Sequence, residues 1–150
     1  MATSSTKLDL LLNSIEENCD PTRYRAAWIP YLIACAALVE HRMPAVAIAS
    51  FGVSRDYAAG RVSMQSVREA MQRCWEDLQK GHREMRLDDP QVSAVRAVIC
   101  VLQRQLEPES DDFLDFTSFF LQVVDNVEPH PDEEEALLRE HFGLCLDAAD

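Results

Sequence analysis

Residues 109–122 read ESDDFLDFTSFFLQ, and they concentrate the side chains best able to meet a partner. Asp111, Asp112 and Asp115 supply three carboxylates within one and a half helical turns; Phe113, Phe116, Phe119 and Phe120 supply aromatic surface. Three carboxylates can hold a divalent metal or a basic side chain. Acids at a helix start are also favoured by the macrodipole alone, so the metal reading is not adopted. At 100° per residue, Phe113, Phe116, Phe120, Val123 and Val124 share one side of a helix. That makes the stretch first a core helix, with Phe113, Phe116 and Phe120 buried. What remains for function is the acidic first turn, the polar strip Asp115, Ser118, Gln122 and Asp125, and Phe119 at the margin. Glu133, Glu134 and Glu135, in the first turn of the last helix, extend the acidic surface.

No other chemistry competes. The chain carries no GxSxG, Walker loop, GxGxxG or HExxH, and its four glycines cannot build the usual phosphate cradle. None of His41, His82, His130 and His141 follows a Glu by three residues, so the Glu-x-x-His pair of di-iron bundles is absent. His141 reads as a partly buried core histidine, His41 as a cation near a helix C-terminus, His82 and His130 as loop residues. Trp28 and Trp75 read as core anchors. No catalytic residue, metal site or cofactor is assigned, and the chain is read as non-enzymatic. A helical enzyme would require a pocket in which titratable groups converge with perturbed pKa values.

The 150 residues carry a net charge of −12. Residues 1–86 hold 11 Lys+Arg and 10 Asp+Glu, a balance of +1, whereas residues 87–150 hold 3 and 16, a balance of −13. Such a field repels nucleic acid and anionic membranes and attracts cationic proteins. The five cysteines (Cys19, Cys35, Cys74, Cys100, Cys145) lie without a CxxC, and read as reduced core residues of a reducing compartment. No signal peptide or membrane span is legible, since the longest apolar run, residues 26–39, is too short. A cytoplasmic protein is expected.

These residues must be positioned by helices, because no period-two alternation or hairpin turn appears. The patterning predicts an all-α, compact single domain over 1–150, with about seven helices and loose ends at 1–5 and 147–150. The helices are expected at 6–18, 21–42, 44–59, 64–80, 90–106, 111–127 and 132–147. Asp20-Pro21 and Asp89-Pro90 are cap-plus-proline starts; Ser63 and Ser110 are further caps. The helix at 21–42 is apolar nearly all round, so it should lie central, kinked or split at Pro30.

Across residues 28–102, Trp28, the run CAALVEHRMP, YAAGRVSMQSVREAMQRCW and DDPQVSAVRAVICVL, with Tyr57, Gly60, Ser63, Arg68 and Trp75 as framework, resemble small all-helical immunity proteins of bacterial polymorphic-toxin systems. That resemblance implies a non-catalytic cytoplasmic protein that binds a cognate toxin and blocks it. A basic, nuclease-type toxin would suit the acidic surface, which could imitate nucleic acid. The alternative is an acidic adaptor, secretion chaperone or regulatory subunit with a basic protein partner.

Overall fold

The computed structural model describes residues 4–147, with side chains from 7 to 143. Seven α-helices follow in chain order: α1 (Ser4–Asn18), α2 (Pro21–Ala37), α3 (Ala45–Ala58), α4 (Met64–Gln79), α5 (Pro90–Leu106), α6 (Phe113–Val127) and α7 (Pro131–Asp147). One 3-10 turn, Glu40–Arg42, joins α2 to α3, and no strand occurs among the described residues. The fold is all-α, as the patterning predicts. Of the ends expected to be loose, residues 4, 5 and 147 belong to helices, and 1–3 and 148–150 lie outside the described residues.

The two Asp-Pro starts work as caps. Asp20 accepts a 3.0 Å hydrogen bond from the Thr22 amide, and Asp89 accepts one of 2.9 Å from the Gln91 amide. Each satisfies a backbone donor left open in a first turn. Ser63 occupies the N-cap position of α4 without a side-chain cap bond. Ser110 does not cap α6, which starts two residues later than expected, at Phe113. Its hydroxyl instead donates to the Asp112 carboxylate. Pro30 neither splits nor ends α2, which runs unbroken through it and stops at Ala37, five residues short of the expected end.

The central helix is α5, not α2. It packs against α2, α3, α4, α6 and the 3-10 turn, and Val92, Val95, Val98, Val101 and Leu102 are all buried. Burial goes nearly all round it, taking in the small Ser93, Ala94, Ala97 and Cys100 as well as Arg104 and Gln105. Around it, α3 and α4 form one flank, while α1, α2, α6 and α7 form the other. The second flank is aromatic. Trp28 meets Phe113 at 5.1 Å between ring centroids, Phe113 meets Phe142 at 5.5 Å, and Phe142 meets Tyr31 at 5.6 Å. Edge-to-face pairs of this kind add about 0.5–1.5 kcal/mol each beyond their burial.

Phe113 and Phe120 are fully buried, but Phe116 is half-buried beneath the Arg104 guanidinium, 4.3 Å from its ring centroid. Trp28 is a core anchor, whereas Trp75 is half-buried beneath Arg96 at 5.1 Å. Cys35, Cys74 and Cys100 are buried free thiols, and burial pushes all three above the usual range, Cys100 to about 12. Cys19 is disulfide-bonded. The expectation of reduced cysteines is corrected at Cys19, the reading of Cys145 lies outside the residues whose side chains are described, and cysteine usage no longer argues for a reducing compartment. No helix among the described residues is long and apolar enough to cross a membrane.

Candidate functional site

The C-terminal acids separate into those neutralised inside the protein and those left to solvent. Asp111 is exposed and forms a salt bridge with Arg25 of α2, whose guanidinium also donates to the Glu109 carbonyl. Asp112 accepts from Arg104 at 2.8 Å. That arginine is 1% exposed and spans the rings of Trp28 and Phe116 at 4.9 and 4.3 Å. A buried guanidinium needs a carboxylate, so Asp112 completes the core at the α5–α6 corner. Glu135 pairs with Lys7 at 3.0 Å and Arg139 at 3.1 Å, and these hold its carboxyl below the usual range. Glu128 is held lower still, at about 2, by its hydrogen bond to His130 and by Arg42 and His41.

Glu133 is exposed, with the His130 ring 3.8 Å away. Glu134 departs most from expectation. The sequence reading has it on the acidic surface, but it is fully buried. Position 134 lies four residues before Leu138 and eight before Phe142, both buried on the same stripe of α7. Helical periodicity thus carries Glu134 inward even though the dipole favours an acid at its position. Neither of its oxygens finds a side-chain donor, with the His130 backbone offsetting this only in part, and one oxygen of Asp125 on α6 is likewise sealed without a donor. The two carboxyls face each other, so ionised they are acceptors without a proton between them. Burial, and then Asp125, raises Glu134 to about 10. At neutral pH Glu134 is therefore protonated and can donate to Asp125. Tyr31 and Cys35 of α2 lie on the same side of the core, both raised by burial.

Asp125 also opens onto a cleft of about 530 Å³ between α1 and α6. On the α6 side this cleft takes in the whole polar strip read from the sequence, Asp115, Ser118, Gln122 and Asp125, together with Phe119 and Leu121. Leu8 and Asp9 face them from α1. The Ser118 hydroxyl reaches the Asp9 carboxylate at 3.5 Å. No cation among the described residues pairs with Asp9, Asp115 or Asp125. Phe119 is 36% exposed, at the cleft edge, with Arg96 against its ring at 5.8 Å.

The structure therefore brings Asp115 and Phe119 together in one concave site and keeps Glu133 exposed elsewhere. It assigns Asp111, Asp112 and Glu135 to internal ion pairs and Glu134 to the interior. Sequence reasoning missed Asp9, whose membership depends on how α1 packs against α6. The site has the size of a small-ligand pocket and joins apolar walls to uncompensated carboxylates, which suits a cation carried on an apolar stem. Among the described residues, no group of three His, Cys, Asp or Glu side chains is arranged to hold a metal ion. No family model, curated protein or solved structure matches this chain.

Proposed function

We propose that this protein is an acidic helical binding protein that captures a basic protein partner, and that the partner is a cognate bacterial toxin which it neutralises. The observation that carries the reading is the unpaired acidic cleft between α1 and α6. Internal ion pairs absorb Asp111, Asp112, Glu128 and Glu135, yet Asp9, Asp115 and Asp125 remain without cations around a cavity edged by Phe119. Solubility alone asks for dispersed surface charge. A concave carboxylate cluster beside an exposed aromatic supports recognition, in which complementary fields speed encounter and an apolar anchor slows release. The resemblance of residues 28–102 to helical immunity proteins supplies the kind of partner.

A cytoplasmic location goes with this reading. The Cys19 disulfide stands against it, and thiol labelling of protein taken from cells decides the point.

An adaptor, secretion chaperone or regulatory subunit would use the same surface, and the neighbouring gene separates the two. Co-expression with an adjacently encoded toxin domain should restore growth and yield a stoichiometric complex. A neighbouring effector without toxic activity, bound with no growth phenotype, favours the adaptor. An enzymatic reading finds its perturbed carboxyl in Glu134, but that group has no exposure through which to touch a substrate.

A further inference from the structure

Helix α4 leaves one stripe of its surface without a neighbouring helix. It packs chiefly on α3 and α5, and turns Val67, Ala70, Cys74 and Leu78 into the core. Beside that face runs a second stripe, Arg68, Met71, Gln72, Trp75, Glu76 and Gln79, whose steps of three and four residues keep it on one side of the helix. These residues line a shallow groove of about 670 Å³ formed by α4 alone. Met71 and Trp75 are only half-buried in it. The charges on the stripe are also unpaired. Arg68 meets only the Met64 sulfur, at 3.4 Å, and Glu76 accepts only from the Gln72 amide, at 2.9 Å, so neither has an ion-pair partner among the described residues. Taken with Lys80, which follows it, α4 carries the cations Arg68, Arg73 and Lys80 and the acids Glu69, Glu76 and Asp77. This segment is therefore neutral, and two copies of it can meet without the repulsion expected between chains of net charge −12.

We propose that this stripe joins two copies of the chain, α4 against α4, antiparallel about a two-fold axis at Gln72. Arg68 and Glu76 lie equally far from Gln72 on either side. In that register Arg68 of each copy faces Glu76 of the other, at two equivalent contacts. Trp75 of each copy falls between Arg68 and Met71 of the other, where its ring gains both apolar cover and a guanidinium. A parallel pairing would set Arg68 against Arg68 and Glu76 against Glu76, so charge selects the antiparallel one. The contact is isologous and closes at the dimer. Two facing helices of about 24 Å bury less than the roughly 1,200–2,000 Å² of a stable complex, so the dimer is weak, with a dissociation constant on the order of 100 µM. None of these residues lines the α1–α6 cleft, so the dimer and the function proposed above fail independently.

Sedimentation equilibrium of the full chain from about 5 to 500 µM tests the interface. The wild type should pass from monomer to dimer over that range. Trp75 should gain protection from acrylamide quenching as it does, because Trp28 is buried at every concentration. Arg68→Glu and Glu76→Arg should each weaken the dimer by about tenfold or more, since each sets like charges against one another at both contacts. Neither new charge opposes the α4 dipole, and helicity should be kept. The double variant Arg68→Glu/Glu76→Arg should recover the wild-type affinity. An equimolar mixture of the two single variants should form a heterodimer, because opposite charges then meet at both contacts. A wild type that stays monomeric throughout, or single variants that dimerise as tightly as the wild type, overturns the interface. A double variant as weak as the single ones, or a mixture that stays monomeric, overturns the antiparallel register.

Discussion

Arg104 and Asp112 meet at 2.8 Å with the guanidinium 1% exposed and the carboxylate about half exposed. The arginine is sealed between Trp28 and Phe116, and Asp112 is its closest acid. Asp112 looks like a surface charge in the sequence, yet its counter-ion is part of the core. Asp112→Asn should therefore destabilise the fold, by about 1–3 kcal/mol, less than for a fully buried pair because Asp112 is reached by water. It should leave partner association nearly unchanged. Urea denaturation of the variant measures the first effect, and stopped-flow binding checks the second.

Glu134 gives the opposite sign. Its folded pKa, about 10, lies above the ordinary value of about 4.3 in an unfolded chain. Between these limits the folded state holds a proton that the unfolded state lacks, so stability falls as pH rises. Glu134→Gln, which cannot ionise, should stabilise the protein at pH 7 by the order of 1–3 kcal/mol. The advantage should grow towards pH 9 and disappear below about pH 4. Thermal melts across that range read the difference; a variant that is less stable than wild type at pH 8 contradicts the buried acid pair.

Glu128 titrates the other way. His130, with Arg42 and His41, holds it at about 2, below its unfolded value. The stabilisation from this cluster is fully present above about pH 4.3 and lost as pH falls towards 2. Glu128→Gln should remove that part of the acid sensitivity, so the variant and wild-type stabilities should converge in this window. Denaturation midpoints at pH 2, 3, 4 and 5 test it.

The indole N–H of Trp28 donates to the Thr117 hydroxyl at 2.9 Å in the core. Thr117→Val keeps the shape but leaves a buried donor open, at a cost of about 1–3 kcal/mol. Thr117→Ser retains the acceptor and should recover much of the loss. A Ser variant as unstable as the Val variant would place the cost in packing instead.

The helices were legible because capping and periodicity are local. Asp20 and Asp89 each cap the helix that their following proline opens, and the α6 strip Asp115, Ser118, Gln122 and Asp125 emerges from helical spacing as one wall of the cleft. The pairings were not legible, because they join residues far apart in the chain. Arg25 reaches Asp111 across 86 positions, so no local rule separates Asp111 from the free Asp115. The burial of Glu134 lay between these cases. Its spacing from Leu138 and Phe142 marked the inner stripe of α7, but the three acids in the first turn, each explained by the dipole, masked that register. The central place of α5 was hidden for a related reason. Hydrophobicity all round favours α2, whereas small residues on α5 decide which helix neighbours can approach from every side.

The central claim is that the free acids of the cleft, and not the acidity of the chain in general, recruit the partner. Association rates with the cognate toxin, measured against ionic strength, test it most directly. The wild-type rate should fall steeply with salt, and Asp9→Asn/Asp115→Asn should lower it about tenfold at low salt and flatten the dependence. Asp111→Asn, with its carboxylate committed to Arg25, should change it far less. Equal rates and equal salt dependence for the wild type and the cleft double variant would contradict the account.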